Sequence, residues 1–360
     1  MSEPFDLTRK PGARPGDSAF LLNRGRHQLA FDPFPGRAIA LAFLGSAHDP
    51  AAEAALQALS ARRSQIDKGE AAFFAVLRES GSGPEMALKA RFPSIVFLWD
   101  GDEMARAFGA ERGWVILDRM LRVVEAAPLN EADRAFAVLT QLSRANPNSA
   151  SHSPAPILTL AQVFEPELCA HLVACFDRDG GKDTGFMQDE NGRSVETFDG
   201  AWKRRRDLHL SDQPLIANLR ARIARRICPE IKKAFQMRVT RIERDLVARY
   251  DSETGGHFGP HRDDTGNAVA HRRFAVSINL NADFEGGEIA FPEYSPQVFK
   301  AAPGTALVFS ASILHQVKRV TRGRRYVFLT FLFDEEAERL RQANFLAAQR
   351  TRREPQLAAG

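Results

Sequence analysis

Apolar and polar positions follow two regimes along the chain. Up to residue 144, short continuous apolar runs alternate with helical patterns. The run RAIALAFLG, residues 37–45, predicts a buried strand. PAAEAALQALSARR, residues 50–63, predicts a helix opened by Asp49 as its cap and Pro50 at its first position. AAFFAVLRE (71–79) predicts a second buried strand. SIVFLWD runs into a turn, DEMARAFGA is a short helix, WVILD and LRVVEA form a hairpin, and LNEADRAFAVLTQLSRA closes the region as a helix. A seam rich in Pro, Ser and Asn, NPNSASHSPAP (146–156), has no apolar period and reads as a linker. Beyond it come helical patterns at 165–178 and 213–236. Short period-two runs follow: RIERDLVARY, RRFAVSINLN, GGEIAFP, TALVFS and RYVFLTFLF. Their spacing is that of a sandwich or barrel. From Asp334 onward the pattern is helical and heavily charged.

Composition narrows the class. The chain has 360 residues, 44% hydrophobic and 26% charged, which suits a globular protein of two domains. No apolar run reaches membrane-spanning length, and MSEPFDLTRKPGARPGD has no apolar leader core. Cys169, Cys175 and Cys228 form no CxxC pair, so a disulfide scaffold is not expected and a reducing cytoplasm is. The net charge of +4 does not mark a nucleic-acid binder. The basic runs KRRR (203–206) and KRVTRGRR (318–325) read as solvated faces.

The candidate chemistry lies in GPHRDDTGN (259–267). His261 and Asp263, two apart on an extended segment, project to one side. Alone they make a charged turn. His315, in SASILHQV after the strand TALVFS, supplies a second imidazole. Two neutral imidazoles and one carboxylate on one face of an ion leave positions open, an arrangement suited to ferrous iron and oxygen chemistry. Arg325, ten residues on, could hold a carboxylate bidentately. Alternation puts Arg325 with Val327 and Leu329 on the inner face and Arg324 outside. Arg319 and Arg322 are the other competing cations. His257 is a competitor for the ligand set, expected in support or at the surface. His271 is expected to be exposed, and Phe291 and Pro292 to pack near the pocket mouth. Gly286 and Gly287 read as a turn. The loops 179–202 and 264–272 read as lids.

These pieces together — RY…HFGPHRD, FAVSINLN, EGGEIAFP, PGTALVFSASILHQVKRVTRGRRY and VFLTFLF, with LTLAQVFEPELCAHLVACF as a helical lead-in — resemble the prolyl 4-hydroxylase-like branch of the 2-oxoglutarate/Fe(II) dioxygenases. The resemblance implies a double-stranded β-helix (jelly roll) over 157–336 with flanking helices. It implies His261, Asp263 and His315 as catalytic iron ligands, Arg325 on the 2-oxoglutarate C5 carboxylate, and Tyr250 facing the cosubstrate. Fe(II), 2-oxoglutarate and O2 are the expected cofactors, with ascorbate as an accessory. Between Tyr250 and His261 the chain is two residues longer than the family pattern. Where the family often has a tyrosine in the VSINLN strand, Ser277 or Asn279 would stand in for its hydroxyl.

Residues 12–145 resemble a thioredoxin-fold domain of the peroxiredoxin kind, through PGDSAFLL, GRAIALAFLG, the DPAAEAAL helix opening, FAVLRES and AFGAERGWVILDRMLRVV. The family's reactive cysteine would match about Ala52, and no cysteine precedes residue 169, so no peroxidase activity is expected. Arg112 matches the family's thiolate-facing arginine but lacks its partner. The expected whole is an α+β multidomain protein: an α/β thioredoxin-like module, the linker 146–156, an oxygenase domain and a charged helical tail over 337–360. Its expected function is hydroxylation of a protein or small-molecule substrate, with a peptidyl proline as the family-level candidate. The N-terminal module would recruit substrate, support a homo-oligomer or cover the oxygenase. A nucleic-acid demethylase, suggested by the basic runs, and a non-catalytic binding protein are the alternatives. No membrane partner is expected.

Overall fold

The computed structural model describes residues 36–47, 49–66, 71–78, 83–93, 95–99, 103–110, 112–144, 153–190 and 193–357. PGDSAFLL and most of the proposed linker lie outside them. The chain divides into two compact units at Ser153/Pro154, with Pro292–Ser295 grouped with the first.

In the first unit, β1 (Ala38–Gly45), β2 (Ala71–Leu77), β3 (Val96–Trp99), β4 (Gly113–Leu117) and β5 (Val123–Ala127) form one sheet in the order β3-β2-β1-β4-β5. The first three strands run parallel, and β4 and β5 are antiparallel. Helices α1 (Pro50–Ile66), α2 (Gly83–Arg91), α3 (Glu103–Phe108) and α4 (Ala132–Arg144) connect and close the sheet. Alternate residues of β1 bury into two separate cores, Ala38, Ala40 and Ala42 on one face and Ile39, Leu41 and Phe43 on the other. That is why the strand reads as a continuous apolar run. Asp49 caps α1 as expected, its Oδ1 accepting from the N–H of Ala51 at 2.9 Å.

The second unit opens with β6 (Leu158–Leu160), α5 (Pro166–Asp179), β7 (Lys182–Asp183) and the hairpin β8 (Phe186–Glu190) and β9 (Arg193–Thr197). Next come β10 (Lys203–Arg204), β11 (Arg206–His209), α6 (Gln213–Arg226) and α7 (Cys228–Phe235). The long strand β12 (Arg241–Asp251) leads into β13 (His257–His261), β14 (Phe274–Asn279), β15 (Phe284–Gly286), β16 (Ile289–Ala290) and β17 (Val298–Phe299). β18 (Ala306–Ser310), β19 (His315–Val317), β20 (Val320–Phe333) and α8 (Glu335–Leu357) complete the chain. The larger sheet has the order β6-β18-β14-β20-β12-β11-β7, and the smaller the order β10-β13-β19-β16-β17. Helices α5, α6 and α7 cover the outer face of the larger sheet. Leu172, Phe176, Leu219, Ile223 and Ile231 pack there against Val247, Val276, Ile278 and Phe328. The inner face looks toward the smaller sheet.

Several expectations are corrected. The helix expected over 213–236 breaks at Ile227. Pro229 has no N–H to donate and its ring would strike the preceding turn, so it starts a new helix instead. The charged C-terminal helix begins at Glu335, capped by Asp334, whose Oδ1 accepts from Ala337 N at 2.9 Å. The span 179–202, expected to be an open loop, carries the β8–β9 hairpin. The KRRR run is not a solvated face: Lys203 and Arg205 turn inward and Arg204 outward, as a strand period of two requires.

Candidate metal centre and its pocket

His261 closes β13 and His315 opens β19, and the two residues lie directly opposite each other in an antiparallel pair. Their ring centroids are 4.3 Å apart. Asp263 is held by its own N–H, which donates to Ala311 O at 2.9 Å. One carboxylate oxygen lies 3.3 Å from His315 Nε2 and the other 3.6 Å from His261 Nε2. Each imidazole is aimed by the same local device. His261 Nδ1–H donates to Gly259 O at 2.8 Å and His315 Nδ1–H to Ile313 O at 3.0 Å. Both carbonyls can only accept, which leaves both Nε2 lone pairs facing Asp263.

One ligand atom from each of the three residues lies within 4.8 Å of the others. Adjacent donors about 2.1 Å from an ion would be about 3 Å apart, so a single first-row ion fits among them with little movement. Burial, together with the neighbouring His261, pushes His315 down to about 4, so its imidazole is neutral at physiological pH. Burial alone would raise Asp263, but His315 and His261 outweigh it and hold the carboxyl well below its usual range.

The triad opens on a pocket between the two sheets. Phe258 stacks on His261 at 3.6 Å, and Phe309 meets His315 edge-on at 4.7 Å. Ile289, Val317 and Leu329 complete a mostly apolar wall. Arg325 reaches the same pocket from β20, 2% exposed. Its Nε donates to Asn279 Oδ1 at 3.1 Å and its Nη2 to Ser277 Oγ at 3.4 Å. Among the described residues no carboxylate lies within ion-pairing distance of it. Burial pushes the guanidinium down to about 10. Tyr250, also 2% exposed, lines the pocket with its ring 5.4 Å from the Arg325 guanidinium carbon. The five sequence candidates therefore surround one cavity. Asn279 and Ser277, expected to replace a family hydroxyl, accept from the arginine.

The other candidates fall elsewhere. Arg322 and Arg324 pair outward with Glu285 and Asp251. His257 faces the carbonyls of Gly255 and Ala201. Phe291 is buried, 6.4 Å from the His315 ring. Expected to be exposed, His271 is buried, because its Nε2 bonds Glu243. Glu243 also accepts from Arg272 Nε and Nη2, and Arg272 Nη1 donates to Asp263 O at 3.2 Å. This network braces the Asp263 backbone. Arg205 is a further pocket residue that sequence reasoning missed, although its alternation with Lys203 and Asp207 could have found it. In the first unit, Ala52 is fully buried, and Arg112 pairs with the capping carboxylate of Asp49 at 2.6 Å.

Residues 246–333 match the family model of the 2OG-Fe(II) oxygenase superfamily. The second unit carries a 2OG-Fe(II) oxygenase domain. That family uses Fe(II), 2-oxoglutarate and O2, and the donor set above fits such an ion. The domain is 32% identical over 99 residues to a PKHD-type hydroxylase of Sphingopyxis alaskensis, covering 26% of this chain and 44% of that protein. It is 36% identical over 88 residues to one from Maricaulis maris, covering 23% and 39%. The match thus spans less than half of these relatives. A PKHD-type hydroxylase of Stutzerimonas stutzeri is 24% identical over 51% of this chain and 82% of its own. A solved prolyl-4-hydroxylase of Pseudomonas putida aligns at 15% identity and TM-score 0.35, over 52% of this chain and 95% of its own. Among the described residues no helix is long and apolar enough to cross a membrane.

Proposed function

We propose that the chain is an Fe(II)- and 2-oxoglutarate-dependent hydroxylase acting on a peptide, with a prolyl side chain as the first candidate. One observation carries the reading: a His-Asp-His cluster and a buried arginine without a carboxylate partner share one pocket. His261, Asp263 and His315 would hold the ion through two neutral imidazoles and one carboxylate. When bound, the ion with 2-oxoglutarate and O2 supplies an oxidant able to hydroxylate an unactivated C–H bond, releasing succinate and CO2. Arg325 would take the far carboxylate of 2-oxoglutarate, with Asn279 and Ser277 fixing the plane of its guanidinium. Tyr250 would line the same end. Phe258, Phe309 and Val317 exclude water from the reacting side. The relatives' printed description as hydroxylases supports this chemistry.

The first unit is read as a thioredoxin-like module without redox function. Its strand order and the absence of a cysteine before residue 169 support this. The inward turn of Lys203 and Arg205 removes part of the basic surface that favoured a nucleic-acid substrate.

Anaerobic titration tests the proposal. Wild type binds Fe(II) and then 2-oxoglutarate; His315→Ala loses the metal, and Arg325→Ala keeps the metal but binds 2-oxoglutarate poorly. Equal 2-oxoglutarate affinity in wild type and Arg325→Ala would refute the arrangement.

A further inference from the structure

A second cleft, of about 270 Å3, lies beside the iron pocket in the second unit. Arg205 lines both cavities, so one side chain separates them. Arg205 is nine-tenths buried; its Nη2 pairs with Asp207 at 2.7 Å, and among the described residues its Nε has no hydrogen-bond partner. Arg206 and Arg249, in the wall of the same cleft, also carry buried Nε atoms without a hydrogen bond among the described residues, with Asp183 and Asp251 as their ion-pair partners at 3.9 and 3.8 Å. Arg204 adds a fourth guanidinium, exposed to solvent and tied only to the carbonyls of Gly200 and Thr254. At the rim Phe198 is 67% exposed, and Met187 and Val195 of the adjoining hairpin are 40% and 41% exposed. Large apolar groups bare beside a cluster of guanidinium groups with unused N–H donors mark a surface built to be covered.

The charges choose the partner. Asp183, Asp199 and Asp251 line the same cleft. A nucleic-acid backbone needs a continuous cationic track, and these carboxylates would repel successive phosphates. A single carboxylate flanked by an apolar side chain meets both the guanidinium cluster and the apolar rim.

We propose that this cleft binds an acidic residue of a peptide substrate, its apolar neighbour resting on Phe198, while the residue to be oxidised reaches the triad past Arg205. The inference rests on the hydroxylase reading and names its substrate class: peptides with a carboxylate close to the oxidised position. The guanidinium groups of Arg204 and Arg206 supply the attraction, and the unused Nε–H of Arg205, whose charge Asp207 already meets, offers a donor at the inner end.

The test uses the full chain and a short fluorescent peptide carrying one glutamate next to a leucine and a proline, against its glutamine counterpart. Fluorescence anisotropy is expected to give tighter binding of the glutamate peptide. Arg204→Glu/Arg206→Glu should weaken it by about tenfold or more, whereas Arg204→Lys/Arg206→Lys should keep most of the affinity. If the charge-reversed pair fails to fold, the lysine pair and the loss of binding with added salt carry the comparison. Equal binding of the two peptides, or salt-independent binding, overturns the proposal, and so does displacement by single-stranded DNA at lower concentration than by unlabelled peptide. Arg325→Ala is measured alongside: unaltered 2-oxoglutarate affinity there would sink the hydroxylase reading, whatever the peptide does.

Discussion

Glu243→Gln and Glu243→Ala test how the oxygenase domain braces its candidate metal centre. Glu243 sits on β12 and accepts from His271 and from two nitrogens of Arg272. His271 and Arg272 are 2% and 6% exposed, so deleting the carboxylate leaves a buried cation and a buried imidazole without their acceptor. Breaking such a pair from one side typically costs about 3–5 kcal/mol. The depressed Glu243 carboxyl points the same way. Burial alone would raise it, yet the His271 bond and the Arg272 charge bring it from 4.5 down to about 2. That difference corresponds to roughly 3 kcal/mol of folding free energy at neutral pH.

The sign of the pH dependence follows. Because the folded value is depressed, the stabilisation is fully present above the unfolded value of 4.5 and is lost as pH falls toward about 2. Chemical unfolding of wild type and both variants, followed by Trp202 fluorescence in variants lacking the other tryptophans, measures the gap. Glu243→Ala is expected about 3 kcal/mol below wild type at neutral pH, with the gap reduced to roughly half near pH 3. Glu243→Gln retains an acceptor and should lose less. Through Arg272 Nη1 on Asp263 O, both should also weaken metal binding. A gap that stays constant across this pH range, or one below about 1 kcal/mol at neutral pH, would show that the network does not brace the domain.

Other consequences can be checked directly. Arg325→Met should raise the thermal midpoint of the ligand-free protein, since a buried cation lacking a carboxylate partner is removed, and should abolish the further rise that 2-oxoglutarate gives wild type. Lys203, with its ammonium bonded to Thr184 and Gly185, is pushed down to about 6 by burial and by Arg205. The unfolded chain therefore holds more protons above that value, and wild-type stability should rise relative to Lys203→Met as pH climbs from about 6 to 10.5, as read by unfolding at several pH values. Gly259→Ala would bring a Cβ within 2.9 Å of the Trp202 ring, displacing the segment whose carbonyl aims His261; Co(II) titration should show weaker binding.

Much of the site was legible because its chemistry needs few residues in a fixed order. The strands carrying His315 and Arg325 have strong period-two patterns, and alternation alone separated Arg325 from Arg324. The failures at His271 and Lys203 share a cause: partners distant in sequence. His271 is buried only because Glu243, 28 residues away, bonds it. Lys203 faces inward because Thr184 and Gly185, 19 and 18 residues away, receive its donors, whereas Arg205 pairs with Asp207 only two residues on. Two further features had local signs that went unused. Pro229 marks the break between α6 and α7, and Asn191-Gly192, between paired Glu190 and Arg193, is a hairpin signal.

The buried arginines of this domain divide by how their charge is met. Arg272 is matched by Glu243, and Arg205 by Asp207 at 2.7 Å, so the folded chain compensates both. Arg325 is as deeply buried, yet its two bonds go to neutral oxygens of Asn279 and Ser277. Neutral acceptors orient a guanidinium but do not cancel its charge. A fold that kept this cation for structure alone would be more stable with a carboxylate at Ser277 or an apolar side chain at 325. Leaving it unmatched is intelligible if an anionic ligand completes the pair, with the desolvation cost already met in folding. The same logic predicts that a carboxylate placed at Ser277 stabilises the ligand-free domain and competes with the cosubstrate.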